Sequence, residues 1–421
     1  MKVEPRIIAV CRVCHSATLE EVLSLGNQFV TNFLDSPNQT EVKVPLELVF
    51  CKNCKLLQLR HTTPAQLLYR WYWYKSGISP SMRAALADVT RKAVSLVNLH
   101  PEDLVLDIGA NDGTLLRTYH GSTTATLVGF EPAKNLIDTQ DKEYTIINDF
   151  FNKQILQKMF PNRRAKIVTA IAMFYDLDDP NSFVADVASC LHEDGVFIIQ
   201  MNYLPAMLEL NAFDNIGHEH LEYYSMKSLK YLLRLHGLEV FDAERNNVNG
   251  GSFRVYVRRP NANVTEFEGS ERRIRELEEQ EELMRLEDKR TYVDFAGRVD
   301  QIKVQARSFL ERETGKGKIV YIRGASTRGN TTLQYLGIDH KLIRKATDRN
   351  RDKWGKFIPG TGIPIIPVEQ GFEERPDYFL VLPWHFLDEL IEEAKEYLKS
   401  GGKFIVPLPN FRILDGNTKD K

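Results

Sequence analysis

At 421 residues the chain is too long for one ordinary hydrophobic core, at roughly 100–200 residues per domain, so two or three domains are expected. Its 43% hydrophobic and 27% charged residues exclude a disordered chain, and 55 Lys and Arg against 57 Asp and Glu leave a net charge of -2. That balance offers no excess positive charge to a phosphate backbone, which argues against general nucleic-acid binding.

No apolar run approaches the ~20 residues of a membrane helix. The opening MKVEPRIIAV also lacks the long apolar core of a signal peptide, so a cytoplasmic protein without a membrane partner is expected. Four of the five cysteines fall in two C-x-x-C turns, Cys11 and Cys14 in CRVC and Cys51 and Cys54 in CKNC. Two thiolates from one tight turn reach a single ion, and two such turns complete a tetrahedral four-cysteine zinc site. A redox pair is the alternative, but neither turn has the strand and helix context of a thioredoxin-like motif. Four thiolates close the coordination sphere, so the expected zinc is structural. His15 reads as a bystander, and Cys190 as a core residue.

The stretch LLYRWYWYKSG is dense in aromatics from Tyr69 to Tyr74. It reads as interior packing, or else as one wall of a site to which Tyr72 or Tyr74 presents a hydroxyl. DLVLDIGANDGTLLRTY then reads as a buried strand through Asp107, a turn with Gly109 and Gly113, and a helix. Asn111 stands where the dinucleotide fingerprint needs its middle glycine, so a pyrophosphate is not the expected ligand. S-adenosylmethionine (SAM) carries no phosphate, and its ammonium suits Asp107. Glu131, ending TLVGFEP 24 residues later, is placed to accept the ribose hydroxyls, and Asn148 and Asp149 in TIINDFF are placed for the adenine amino group.

Strand and helix continue to alternate through KIVTAIAMFY and GVFIIQMNYL, which predicts a doubly wound α/β sheet with ligands at its carboxyl edge. FDNIGHEHLEYYS follows directly. It is not a zinc-protease helix, because Glu222 stands where H-E-x-x-H needs its second histidine. Read as extended chain, it would point His218 and His220 one way and Glu219 the other. An imidazole titrates near neutrality and suits proton removal from an activated carbon. In NVNGGSFRVYV, the residues Asn249, Gly250, Gly251 and Ser252 open a strand as a tight turn or a substrate contact.

Residues 261–312 are rich in charge, with helical spacing of sparse apolar residues, and predict a long solvated helix joining two domains. A coiled-coil dimer is disfavoured by that sparseness. GKIVYIRGASTRGNTTLQYLGI opens a second strand, glycine turn and helix, without the G-K-[ST] of a P-loop. Arg328, Lys353 and Lys356 at strand carboxyl ends read as holders of a diphosphate or as surface loop charges, and Trp384 with His385 reads as cleft lining.

Taken together, the two CxxC turns, LDIGANDGTLL, HEH followed by YYS, NGGSFRVYV, GNTTLQYLGI and PGTGIPI resemble the SAM-dependent sugar C-methyltransferase family over nearly the whole chain. The resemblance implies a zinc module (1–70), a SAM-binding domain (71–260), the linking helical segment (261–312) and a C-terminal Rossmann-like substrate domain (313–421). It also implies methylation at C3 of a nucleotide-linked 4-keto deoxysugar by a monomer. His220 takes the family's position of the base that forms an enolate, Glu219 orients it or the sugar, His218 completes the set, and Tyr72 or Tyr74 faces the site. Two positions depart from the family pattern: Gly217 replaces a tyrosine and Asp176 a histidine, so Asp176 with Tyr175 takes over part of the proton traffic. Methylation at oxygen or nitrogen, and a binding protein that keeps the SAM fold without turnover, are the competing readings. The first needs no carbon-acid base, and the second tolerates loss of Asp107, Glu131 and His220.

Overall fold

The computed structural model describes residues 5–416 apart from 31, 38, 40, 41 and 138–140. The N-terminal segment lays down β1 (Leu19–Phe29), β2 (Lys43–Cys51) and β3 (Leu57–Leu59) as an antiparallel ladder. Helix Pro80–Leu96 follows, with the Ser79 hydroxyl accepting from the Met82 amide and proline in its first turn, where a missing N–H costs nothing.

The strands β4 (Leu104–Ile108), β5 (Thr126–Phe130), β6 (Thr145–Ile147), β7 (Ala165–Ile171) and β8 (Leu191–Asn202) come next. All five residues of β4 are buried, as expected of a central parallel strand covered on both faces. Beyond β8 come β9 (Glu222–Tyr223), β10 (Glu239–Asn246) and β11 (Ser252–Arg258). The central sheet runs in the order β10-β11-β8-β7-β4-β5-β6, with β11 antiparallel to both of its neighbours. β4 therefore has β5 on one side and β7 on the other, and the strand order reverses at its carboxyl end, where open α/β sheets hold their ligands.

β9 does not join that sheet. It pairs antiparallel with β3, Glu222 opposite Gln58 and Tyr223 opposite Leu57, giving a second sheet β9-β3-β2-β1. The loop after β8 is thereby stitched to the N-terminal module.

The C-terminal segment forms β12 (Val320–Arg323), β13 (Lys345–Asp348), β14 (Phe357–Ile358), β15 (Ile363–Pro367), β16 (Tyr378–Val381), β17 (Lys403–Val406) and β18 (Arg412–Leu414). Their order is β14-β15-β13-β12-β16-β17-β18, parallel in the middle and antiparallel at both edges. This is a second Rossmann-like sheet.

The charge-rich segment differs from the expected solvated connector. It forms two helices, Ser270–Leu283 and Lys289–Gly315, and the second buries Tyr292, Phe295, Val299, Ile302, Ala306 and Leu310. Apolar residues at three- and four-residue spacing make one continuous stripe, so a few suffice to cover a neighbour. Phe50 of the N-terminal module, Phe213, Phe295 and Phe379 of the C-terminal sheet belong to one buried cluster. Among the described residues no helix is long and apolar enough to cross a membrane.

Candidate active site and zinc centre

The four predicted metal ligands converge. Their sulfurs all lie within 4.8 Å of one another, with Cys11 to Cys54 at 3.5 Å and Cys14 to Cys51 at 3.4 Å. A tetrahedron with Zn–S bonds of about 2.3 Å has edges of roughly 3.8 Å, so the set fits zinc. Each turn closes with a left-handed residue, His15 (φ 56°) and Lys55 (φ 65°), whose amide donates to the first cysteine carbonyl at 3.0 Å. His15 thus shapes the turn and is no ligand. Outside the sulfurs, Gln58 Nε2 donates to Cys11 Sγ at 3.2 Å, and its Oε1 accepts from the Arg12 amide and Nη1. Arg12 Nε lies 3.7 Å from Glu222 of β9, and both side chains are almost fully buried.

At the reversal point of the central sheet, Asp107, the penultimate residue of β4, accepts from Thr169 Oγ1 at 2.6 Å. Burial lifts its carboxyl to about 7 against that hydrogen bond. Glu131, just past β5, accepts from the Asn111 amide at 2.8 Å and the Ala133 amide at 2.7 Å, and burial raises it too. Gly109 and Gly113 both have φ near +75°, and a Cβ on Gly113 would lie 2.3 Å from the Tyr144 hydroxyl. Asn111 adopts φ 53°, a conformation asparagine tolerates. Its side chain is committed elsewhere, accepting from the Ser76 amide and donating to the Tyr74 carbonyl, so it clamps the aromatic segment onto the loop.

That loop opens into a cavity of about 370 Å³. Asp107, Gly109, Asn111 and Glu131 line one side, Tyr69, Tyr72 and Tyr74 a second, Tyr175, Asp176, Glu219 and His220 a third, and Asn249, Arg328 and His385 a fourth. The aromatic stretch is a wall as well as packing, since Trp73 is buried while the three tyrosines face the cavity. Tyr72 donates to Glu219 Oε2 at 3.2 Å, and Tyr69 donates to the Glu219 carbonyl at 2.9 Å.

His218 and His220 do not point the same way. The segment is not extended: Phe213–Asn215 forms a short 3₁₀ turn and the chain turns again before β9. His218 faces the N-terminal module, where its Nε2 lies 3.0 Å from the Val44 carbonyl. His220 faces the cavity with Nδ1 2.6 Å from the Asn215 carbonyl and its ring edge-on to Tyr175. A carbonyl only accepts, so Nδ1 carries the proton and Nε2 presents a lone pair. Burial, helped by the Arg328 cation, holds His220 down at about 4, so it is neutral at physiological pH. Burial lifts Glu219 to about 7 and Asp176 well above the carboxylate range, and ionised Glu219 beside Asp176 pushes it further. Asp176 Oδ1 has no hydrogen-bond partner among the described residues.

Several expected site residues lie off the cavity. Asn148 Nδ2 donates to the Glu131 carbonyl, and Asp149 Oδ1 is paired with Arg70 at 3.0 Å. Gly250 and Gly251 admit neighbours: a Cβ on Gly250 would lie 2.7 Å from the Trp384 ring, and one on Gly251 2.7 Å from Ala206. The glycine pair is thus a packing turn. Ser252 donates to the Val248 carbonyl. Trp384 turns its Nε1 to Asp214 at 3.0 Å. Lys353 braces the C-terminal sheet, bound to the Ala325 carbonyl at 2.8 Å and Asp348 at 3.1 Å, and Lys356 pairs with Asp35. The Lys353 pair is buried, whereas Lys356 pairs with an exposed partner. Arg12, Gln58 and Asp214 escaped sequence reasoning, because nothing in their spacing announces a partner so distant in the chain.

A SAM fold with this cleft, joined to a four-cysteine zinc module, defines a SAM-dependent methyltransferase. Three family models match in succession: a zinc binding domain over residues 11–69, a methyltransferase domain over 81–243, and the C-methyltransferase C-terminal domain over 247–409. The C-methyltransferase NovU of Streptomyces niveus is 32% identical over 418 residues, covering 98% of this chain and 98% of that protein, and the chain belongs to the C-methyltransferase family. Among solved structures, a SAM-dependent methyltransferase from Clostridium acetobutylicum aligns with 42% of this chain and 92% of its own at 12% identity and a TM-score of 0.31. Mycolic acid cyclopropane synthase CmaA1 aligns with 43% and 70% at 14% identity and a TM-score of 0.31.

Proposed function

We propose that the protein methylates a carbon of a nucleotide-linked keto sugar, C3 beside a C4 ketone, through an enolate formed by His220. The observation that carries this reading is that His220 presents an unprotonated Nε2 to the same cavity that Asp107 and Glu131 line. Methylation at oxygen or nitrogen often needs no carbon-acid base, and His220 would then matter far less.

Bound SAM supplies an electrophilic methyl group. Asp107 takes its ammonium, the Gly109 to Gly113 backbone its carboxylate, and Glu131 its ribose. Nε2 of His220 removes the proton next to the ketone, while the hydrogen bond from Nδ1 to Asn215 fixes the ring. Glu219, held by Tyr72, orients the sugar, and Asp176 takes part in the proton traffic as a buried acid. Holding acceptor carbon and methyl group in line supplies much of the rate. The domain division expected from the sequence gives the sugar its place between the two Rossmann-like sheets.

The test is mass spectrometry of the protein with SAM and a panel of nucleotide-linked 4-keto sugars in deuterated water, comparing wild type with His220→Ala. One methyl gained on carbon, with deuterium exchange at that carbon only in the wild type, is expected. Intact SAM binding with neither methyl transfer nor exchange on any sugar would sink the reading.

A further inference from the structure

Among the described residues lining the cavity, Arg328 is the one arginine or lysine, whereas five carboxyls, Asp107, Glu131, Asp176, Asp178 and Glu219, line it as well. An enolate is an anion, and every ionised carboxyl beside it opposes its formation. His220, held at about 4, is also a weak base for a carbon acid. Proton removal here needs a fixed positive charge at the oxygen where negative charge develops.

Arg328 is oriented for that before any substrate arrives. It is the second residue of helix Thr327–Leu336, in the C-terminal segment. Its Nη1 donates to the Asn249 carbonyl at 2.7 Å, and its Nη2 lies 2.8 Å from Asp214 Oδ2. Asp214 is 1% exposed and is pinned in turn by Trp384 Nε1. Arg328 Nε and Nη2 are both buried and make no hydrogen bond among the described residues, so Nη2 meets Asp214 as an ion pair only. The guanidinium acts on the basic side of the site: it helps depress both His220 and His385.

We propose that Arg328 is a catalytic residue whose guanidinium charge stabilises the enolate oxygen of the acceptor. This rests on the keto-sugar reading above. As His220 Nε2 takes the proton, the C–H electron pair forms the enolate double bond and the carbonyl π pair moves onto the oxygen facing Arg328. When the carbonyl re-forms, the enolate carbon bonds to the methyl carbon. The S–CH₃ pair leaves on sulfur, and the proton passes from His220 to solvent. The site is therefore complete only with the C-terminal segment in place.

The experiment uses the full chain with S-adenosylhomocysteine bound, so that deuterium exchange at the acceptor carbon is read without methyl transfer, on the same panel of nucleotide-linked 4-keto sugars. Arg328→Met should slow exchange and kcat together by about 10²–10³-fold with a much smaller change in KM, the range for removing one oxyanion donor. Because this leaves Asp214 buried without its cation, Arg328→Met with Asp214→Asn is measured as well, with zinc content and S-adenosylhomocysteine affinity as checks of the fold. Wild-type exchange in a folded variant whose KM alone rises would overturn the proposal and make Arg328 a ground-state anion contact. Absence of exchange by the wild type on every sugar would overturn the keto-sugar reading, and this proposal with it.

Discussion

Asp107 sits near the end of a strand whose five residues are all buried, and its one side-chain hydrogen bond comes from Thr169. With its carboxyl lifted to about 7 by burial, this group is part-protonated at neutral pH. An ammonium pairs with the carboxylate and not with the acid. On the proposed pairing of Asp107 with the SAM ammonium, binding below pH 7 expels a proton, and affinity should rise with pH, at most tenfold per unit, and level off above about 7. Calorimetry in buffers of different ionisation enthalpy measures that proton release directly. Asp107→Asn should weaken binding and flatten the pH dependence together; a variant that weakens binding but keeps the wild-type slope would assign the proton elsewhere. The placement of Asp107 and Glu131 at the cavity and the convergence of the four cysteines were legible because they are local to a turn or a strand end. The divergence of His218 and His220 was not, because alternation holds only in extended chain and the segment turns twice.

At the scale of elements, two-residue β9 has the largest consequence. The sequence shows YYS after HEH but cannot show that this chain pairs with β3, a partner some 160 positions earlier. The pairing carries three contacts at one level: Leu59 N donates to the Leu221 carbonyl, Leu221 N to the Tyr175 carbonyl, and Gln58 reaches both Cys11 and Arg12. The zinc knuckle, the Tyr175 segment and the His220 loop are thus braced on one strand. Gln58→Leu keeps the backbone ladder and the volume but removes the donor to Cys11 and the acceptor for Arg12. Loss of such a supporting contact typically costs 10–100-fold in metal affinity. Competition with a chromophoric chelator should show a drop of that size, and an unchanged affinity would mean that Gln58 merely fills space. The linking helices teach the same lesson in reverse: their sparse apolar residues were read as solvated because the neighbours that cover them lie in all three segments.

Across the whole molecule, three modules meet on one cavity. Gln334 of the C-terminal segment exchanges hydrogen bonds with the Phe29 backbone of β1, Thr331 donates to the Ile216 carbonyl just before HEH, and Asn350 donates to the Trp73 carbonyl. A zinc closed by four thiolates has no open position for chemistry, yet its turns anchor β3 and through it the His220 loop. Chelating the zinc should therefore loosen residues 217–224 together with β3, while β4 and β5, buried in the central sheet, keep their protection. Hydrogen exchange read by mass spectrometry separates these segments, because local opening reports local stability. The expected pattern is a large gain of exchange at 57–59 and 217–224, none at 104–108 and 126–130, loss of methyl transfer, and recovery of both on adding zinc back. Unchanged protection at 217–224 after complete metal removal would show that the central sheet alone holds the His220 loop, and the zinc module would then serve only its own fold.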